Sequence, residues 1–244
     1  MKKRAFIFWL IIGVHGFVYA ARAPFTLPTM TMAEIKELVP KAEKYRIGMN
    51  AAIIGLETMR YFSHDNDYVD SFVNDNFDAL LCSIALIKVP ALTVGAIAEA
   101  DLSMTGVITD MVATTGIKGF WADVCTGHEQ RTSTSVCIAA ILLNGIVVAK
   151  IFNMLNPVIK KHYPAQTDEA KRRILRSTVI VVGNLLVPLV CYLADAANII
   201  WFRKRSMQCL IDMSFWQGVM SNLIAEAAGY VIAQYVKEEG VISC

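Results

Sequence analysis

The sequence predicts an all-α protein: a multi-pass helical membrane bundle of about five spans, preceded by an N-terminal signal or anchor and an external amphipathic helix. Three observations lead there. Residues 132–149 and 177–194 are two runs of 18 residues without a charge, and about 20 mostly apolar helical residues cross a hydrocarbon core of about 30 Å. The stretch between them, 150–176, holds seven Lys or Arg against two acidic residues, the bias expected of a cytoplasmic loop. The composition is 55% hydrophobic and only 18% charged, with mean hydropathy +0.47, against about 25% charged in soluble domains. A length of 244 residues would permit one or two soluble domains, so the apolar excess decides the class. The net charge of +2 forms no basic stripe of the kind that neutralises phosphates, so nucleic acid is not an expected partner and the lipid bilayer is.

The first 23 residues read as an export signal. Lys2, Lys3 and Arg4 precede an apolar run over 5–19, and small residues at Ala20, Ala21 and Ala23 suit cleavage. The run is long and contains His15, so an uncleaved signal anchor is the alternative. Both place residues from Arg22 onward outside the cytoplasm, in a plasma or inner membrane.

Residues 24–77 form the next region, external in this reading. Thr31 and Glu34 have the spacing of a capping box, in which each side chain satisfies an orphan backbone donor of the other. Met32, Ile35, Leu38, Val39, Ala42, Met49, Ala52, Ile53, Leu56 and Met59 then recur at helical spacing. They give one apolar stripe, with Pro40 expected to kink or divide the helix. This helix is expected to pack on the rest of the protein, with a membrane surface as its alternative neighbour. Beyond it, Asp65, Asp67 and Asp70 fail the EF-hand spacing, which needs a turn glycine and a distal Glu, and read as a solvated loop.

Residues 78–236 form the membrane domain, and 237–244 a short polar tail. Its candidate spans are 77–98, 102–121, 132–149, 177–201 and 213–236. With the N-terminal region outside, five crossings put the basic 150–176 loop inside but leave Arg203, Lys204 and Arg205 outside, against the charge rule. Trp121, Trp201 and Trp216 are expected near span ends, where an indole prefers the headgroup zone.

The charged and polar residues inside these spans are the candidate site. Lys88, Asp110, Asp195 and Glu226 are costly in lipid and should face the bundle interior, water or one another. Asn184, Cys191, Asp195 and Asn198 share one helical face, and Asn222 lies one turn before Glu226. The set Lys88, Asp110, Asn184, Asp195, Asn198, Asn222 and Glu226 could line a polar pathway or serve as structural ion pairs. Ser221, Ala225, Gly229 and Ala233 form a small-xxx-small series suited to close helix packing. Of the six cysteines, Cys125 and Cys137 are the candidate disulfide, bracketing a loop expected outside the cytoplasm.

No metal-ligand spacing, cofactor motif or catalytic motif occurs: His128-Glu129 lacks the second histidine of a zinc protease, and there is no nucleophile elbow or phosphate loop. The sequence therefore favours a structural or interaction component of a cell envelope, with no enzyme activity, cofactor or metal expected. A small transporter or channel using the buried charges is one alternative. An exported soluble helical bundle is the other.

Overall fold

The computed structural model describes residues 31–62, 77–117 and 131–238, which form helices joined by short connections. In chain order they form α1 (Met32–Phe62), α2 (Phe77–Ile97), α3 (Met104–Ile117), α4 (Arg131–His162), α5 (Ala165–Ala196), α6 (Lys204–Asp212), a π-helical segment (Met213–Met220) and α7 (Ser221–Glu238). The signal or anchor, the acidic loop around Asp65, Trp121, Cys125, His128 and the last six residues lie outside the described residues.

The helices alternate in direction. Ile53 of α1 meets Ile84 of α2 and Ala113 of α3, while Glu43 of α1 approaches Gly106 of α3. Hence α1 runs parallel to α3 and against α2. On the other side, Asn144 and Asn156 of α4 pair with Asn184 and Arg176 of α5, which sets α4 and α5 antiparallel. The α6, π and α7 segments form one continuous helical stretch, because Met213 and Ser221 at the junctions keep right-handed helical backbone. This stretch runs parallel to α2: Lys88 reaches Gln217, and Ala96 meets Gly229. One end of the bundle, termed the turn end, therefore carries the α2–α3 and α4–α5 turns together with the start of α1.

The apolar core gathers between α4, α5 and α6, where Cys137, Ile138, Ile141, Val187, Leu210 and Met213 pack together. The small-residue series meets α2: at Gly229 a Cβ would lie 2.8 Å from the Ala96 Cβ and 3.2 Å from the Ile97 nitrogen, so only glycine permits this approach.

Three expectations meet the structure differently. Among the described residues two helices, Thr134–His162 and Asp168–Ala196, are long and apolar enough to cross a membrane, which accounts for two of the five expected spans. The basic 150–176 stretch is not a loop: α4 continues to His162 and α5 starts at Ala165, leaving Tyr163 and Pro164 as the turn. The reason is that Arg172, Arg173 and Arg176 find carboxylates inside the bundle and need no solvent. Third, Trp216 lies within the continuous α6–α7 stretch, not at a helix end, whereas Trp201 sits exposed in the α5–α6 connection under the Arg203 guanidinium, 5.6 Å from its ring centre.

Candidate functional site

The predicted polar residues separate into three buried groups and one exposed turn. The first group centres on Asp110 of α3. Its carboxylate receives the Arg46 guanidinium in a forked pair, Nε to Oδ1 at 3.1 Å and Nη2 to Oδ2 at 2.5 Å. Asn50 Nδ2 donates to Oδ1 at 2.6 Å, and Lys88 Nζ lies 3.3 Å from Oδ2. Glu43 completes the cluster at 2.8 Å from Arg46 Nη1. Two cations face two carboxylates here, and Arg46, Lys88 and Asp110 are all at least 97% buried. Such a site is tolerable only because each charge is paired and hydrogen-bonded.

Lys88 also donates to the carbonyl of Gln217 within the π segment, and the Ser221 hydroxyl donates to the same oxygen. Side-chain donors thus occupy a carbonyl where the helix widens from its ordinary bonding. Opposite, Asn184 of α5 forms the second group: its Oδ1 accepts from Asn144 Nδ2 at 3.2 Å, and Asn144 donates also to Ser214 Oγ at 3.1 Å. Gly218 lets the π segment close onto it, since a Cβ there would fall 2.0 Å from Asn184 Oδ1.

The third group centres on Glu226 of α7. Arg176 of α5 grips Glu226 Oε1 through Nε at 3.1 Å and Nη2 at 2.8 Å, with Arg173 Nη1 3.4 Å from Oε2. The remaining donors of these arginines staple the α2–α3 turn. Arg176 reaches Asn156 and the Glu99 carbonyl, Arg173 the Ala96 carbonyl, and Arg172 the Glu99 carboxylate. Glu99 itself holds a left-handed φ of 53°, which these bonds stabilise against its steric cost. Asn153 clamps Leu102 in the same turn through both backbone groups, at 2.8 and 2.9 Å. Phe152 lies under the Arg176 guanidinium, 4.8 Å from its ring centre.

Asn222 joins the groups, donating at 2.7 Å to the Gly218 carbonyl. It lines two small cavities, which also share Leu92 and Leu102. One, of about 20 Å³, borders Glu43, Asp101, Arg176 and Glu226; the other, of about 10 Å³, borders Arg46, Lys88, Asn184 and Gln217. Each has space for about one water. Glu43 Oε2 and Gln217 Oε1 are buried acceptors that no protein donor reaches.

Asp195 and Asn198 do not join this interior. Asp195 Oδ1 accepts the Phe202 backbone N–H at 2.7 Å, fixing the connection at the far end, and exposed Asn198 adopts a left-handed φ of 56°. The expected shared face does not hold: α5 ends at Ala196, so Asn198 lies beyond the helix, and Asp195 turns to the connection while Asn184 faces the interior. Cys137 is buried, with its thiol donating to the Ser206 carbonyl at 3.2 Å. Among the described residues no cluster of His, Cys, Asp or Glu could hold a metal.

Sequence reasoning overlooked Arg46, Asn50, Glu57, Asn144 and the arginine trio. One signal was available: Arg46, Asn50, Ile53 and Glu57 recur at steps of four, three and four, a helical face. These four are the buried residues among the described side chains from Tyr45 to Met59, whereas Met49 and Met59 of the expected apolar stripe are exposed. Comparison with known proteins finds no matching family, no matching curated protein and no matching solved structure.

Proposed function

We propose that the protein is a multi-pass integral membrane protein that serves as a structural or interaction component of a cell envelope, in a plasma or inner membrane. The carrying observation is the distribution of charge across a band of the bundle. Within this band α5 turns Val182, Leu185, Leu186, Leu189 and Val190 outward, while Arg46, Glu57, Lys88 and Asp110 are buried. A chain surrounded by water distributes these groups the other way, because exposed charge is cheap there and buried charge is not. Contiguous apolar surface of this kind marks a membrane or protein contact. Exposed Lys150 on α4 marks the edge of the band toward the turn end.

The interior supports the structural part of the reading. Asp110 and Glu226 are saturated by cations and amides, and the cavities between them are of single-water size. Their pairs with Arg46 and Arg176 fix α1 to α3 and α5 to α7, which leaves the outer surface as the part that meets a partner. The test is alkaline carbonate extraction of membranes containing the full chain. Retention in the pellet is expected, and release into the soluble fraction would favour an exported soluble bundle.

One observation favours a second reading, a small transporter. The two cavities share the lining residues Leu92, Leu102 and Asn222, one bordering Arg46 and Lys88 and the other Arg176 and Glu226, an arrangement from which a polar relay could be built. Reconstituted protein would then conduct protons or ions across vesicles, and Glu226→Gln would abolish the flux while the protein still accumulates. Absence of flux from the wild-type chain removes this reading.

A further inference from the structure

We propose that residues 45–62 of α1 cross the bilayer as a further membrane helix, so that residues 31–44 lie on the same side as the α4–α5 turn. The inference rests on the membrane reading above and goes beyond it, since the sequence places all of α1 outside the membrane. Its first support is a change in the outward face of α1. Up to Lys44 that face carries Glu34, Lys36, Glu37, Lys41 and Lys44; from Tyr45 to Met59 it carries Tyr, Gly, Met, Ala and Thr without a charge. The two described charges of this second part, Arg46 and Glu57, are turned inward and buried. This inside-out pattern is that of a helix whose surroundings are less polar than its own packing face.

The second support is length. Residues 45–62 number 18, about 27 Å of helix at 1.5 Å per residue, the same as the charge-free run 177–194 of α5. The third support is the pairing of Arg46 and Asn50 with Asp110. Asp110 lies in the middle of α3, and Lys88 of α2 shares its carboxylate. Glu43, Arg46 and Ile53 meet α3 at Gly106, Asp110 and Ala113 in turn, so α1 stands alongside α3 and does not lie across the bundle, and it crosses with the helices it packs on. The occupant of its outward face beyond Lys44 is then lipid hydrocarbon.

This arrangement has a consequence for orientation. The export signal predicts residues 24–44 outside, and the charge rule predicts the basic turn inside, yet both segments are at the turn end. The two expectations exclude each other.

The test uses the full-length chain carrying a short protease-cleavable tag after Met30, after Tyr163 or after Ile200, assayed in sealed membrane vesicles before and after permeabilisation. The tags after Met30 and Tyr163 are expected to be cleaved from the same side and the tag after Ile200 from the opposite side. The absolute side shows which orientation expectation holds. If Met30 and Tyr163 report opposite sides while the protein resists carbonate extraction, α1 does not cross and the proposal is overturned with the membrane reading intact. Release by carbonate overturns both. Each tagged chain is accepted as folded only if it matches the untagged one in helical content and thermal unfolding in detergent.

Discussion

At the residue scale, the consequences of a substitution depend on how many opposite charges it strands. Asp110→Asn removes the charge that compensates Arg46 and Lys88, both buried. Breaking a buried pair this way costs about 3–5 kcal/mol, so a large drop in unfolding temperature in detergent is expected. Asp195→Ala loses a single bond to the Phe202 N–H at a partly exposed turn and should cost about 1 kcal/mol. Equal losses for the two variants would contradict the assignment of Asp110 as the anchor. At the start of α1 the capping box forms as its spacing foretold: the Thr31 N–H donates to Glu34 Oε2 at 2.7 Å, and the Glu34 N–H to Thr31 Oγ1 at 3.3 Å. The bonds from the Thr31 backbone and hydroxyl hold the Glu34 carboxyl below its ordinary value near 4.5. A depressed carboxyl stabilises the folded state above the ordinary value and loses that contribution as pH falls through the lower folded one. The first turn of α1 should accordingly fray on acidification below about pH 4.5, visible as a shift of the Thr31 amide resonance that Glu34→Gln removes.

At the scale of elements, close approach of α7 to α2 depends on Gly229. A methyl there would press on Ala96 Cβ at 2.8 Å and on the Ile97 backbone at 3.2 Å, and backbone cannot yield as a side-chain tip can. Overpacking costs about 1–3 kcal/mol, against about 1 kcal/mol gained in helix propensity. Gly229→Ala should therefore lower stability by roughly 1 kcal/mol, and a stability gain in thermal unfolding would show that the contact is looser than described. The small-residue series was legible in the sequence because it is a local repeat, as were the capping box and the uncharged runs of α4 and α5. What sequence could not reveal was pairing across distance. The trio Arg172, Arg173 and Arg176 read as a solvated basic loop because their partners Glu99 and Glu226 are 50 or more positions away. The buried face of α1 was misread for a related reason. A rule that sends apolar residues inward selects Met49 and Met59, and it fails when Arg46 and Asn50 have a carboxylate waiting in α3. The π segment has no local signature, and its contacts with Lys88 and Asn184 come from distant helices.

At the scale of the whole molecule, the two environments open to this bundle make different demands on the same surface. Leu185 is 48% exposed near the middle of the charge-free run of α5, and Met154 is 72% exposed on α4 beyond Lys150, toward the turn end. In water both are surface positions, and a lysine at either should change stability by no more than about 0.5 kcal/mol. In a bilayer they differ. Leu185 faces the centre of the hydrocarbon, where a lysine costs about 2.5–3.5 kcal/mol on insertion scales, and the favourable leucine contribution is lost as well. Met154 lies about one turn past the band, where the flexible lysine stem can carry its ammonium to the headgroups. Leu185→Lys should therefore sharply reduce the carbonate-resistant fraction of the full-length chain, whereas Met154→Lys leaves it near wild type. The contrast isolates depth from exposure, because the residue that is less exposed is the one predicted to fail. If both variants accumulate in the membrane alike, the outward face of α5 meets something more polar than lipid, and the apolar band must instead be covered by another protein chain.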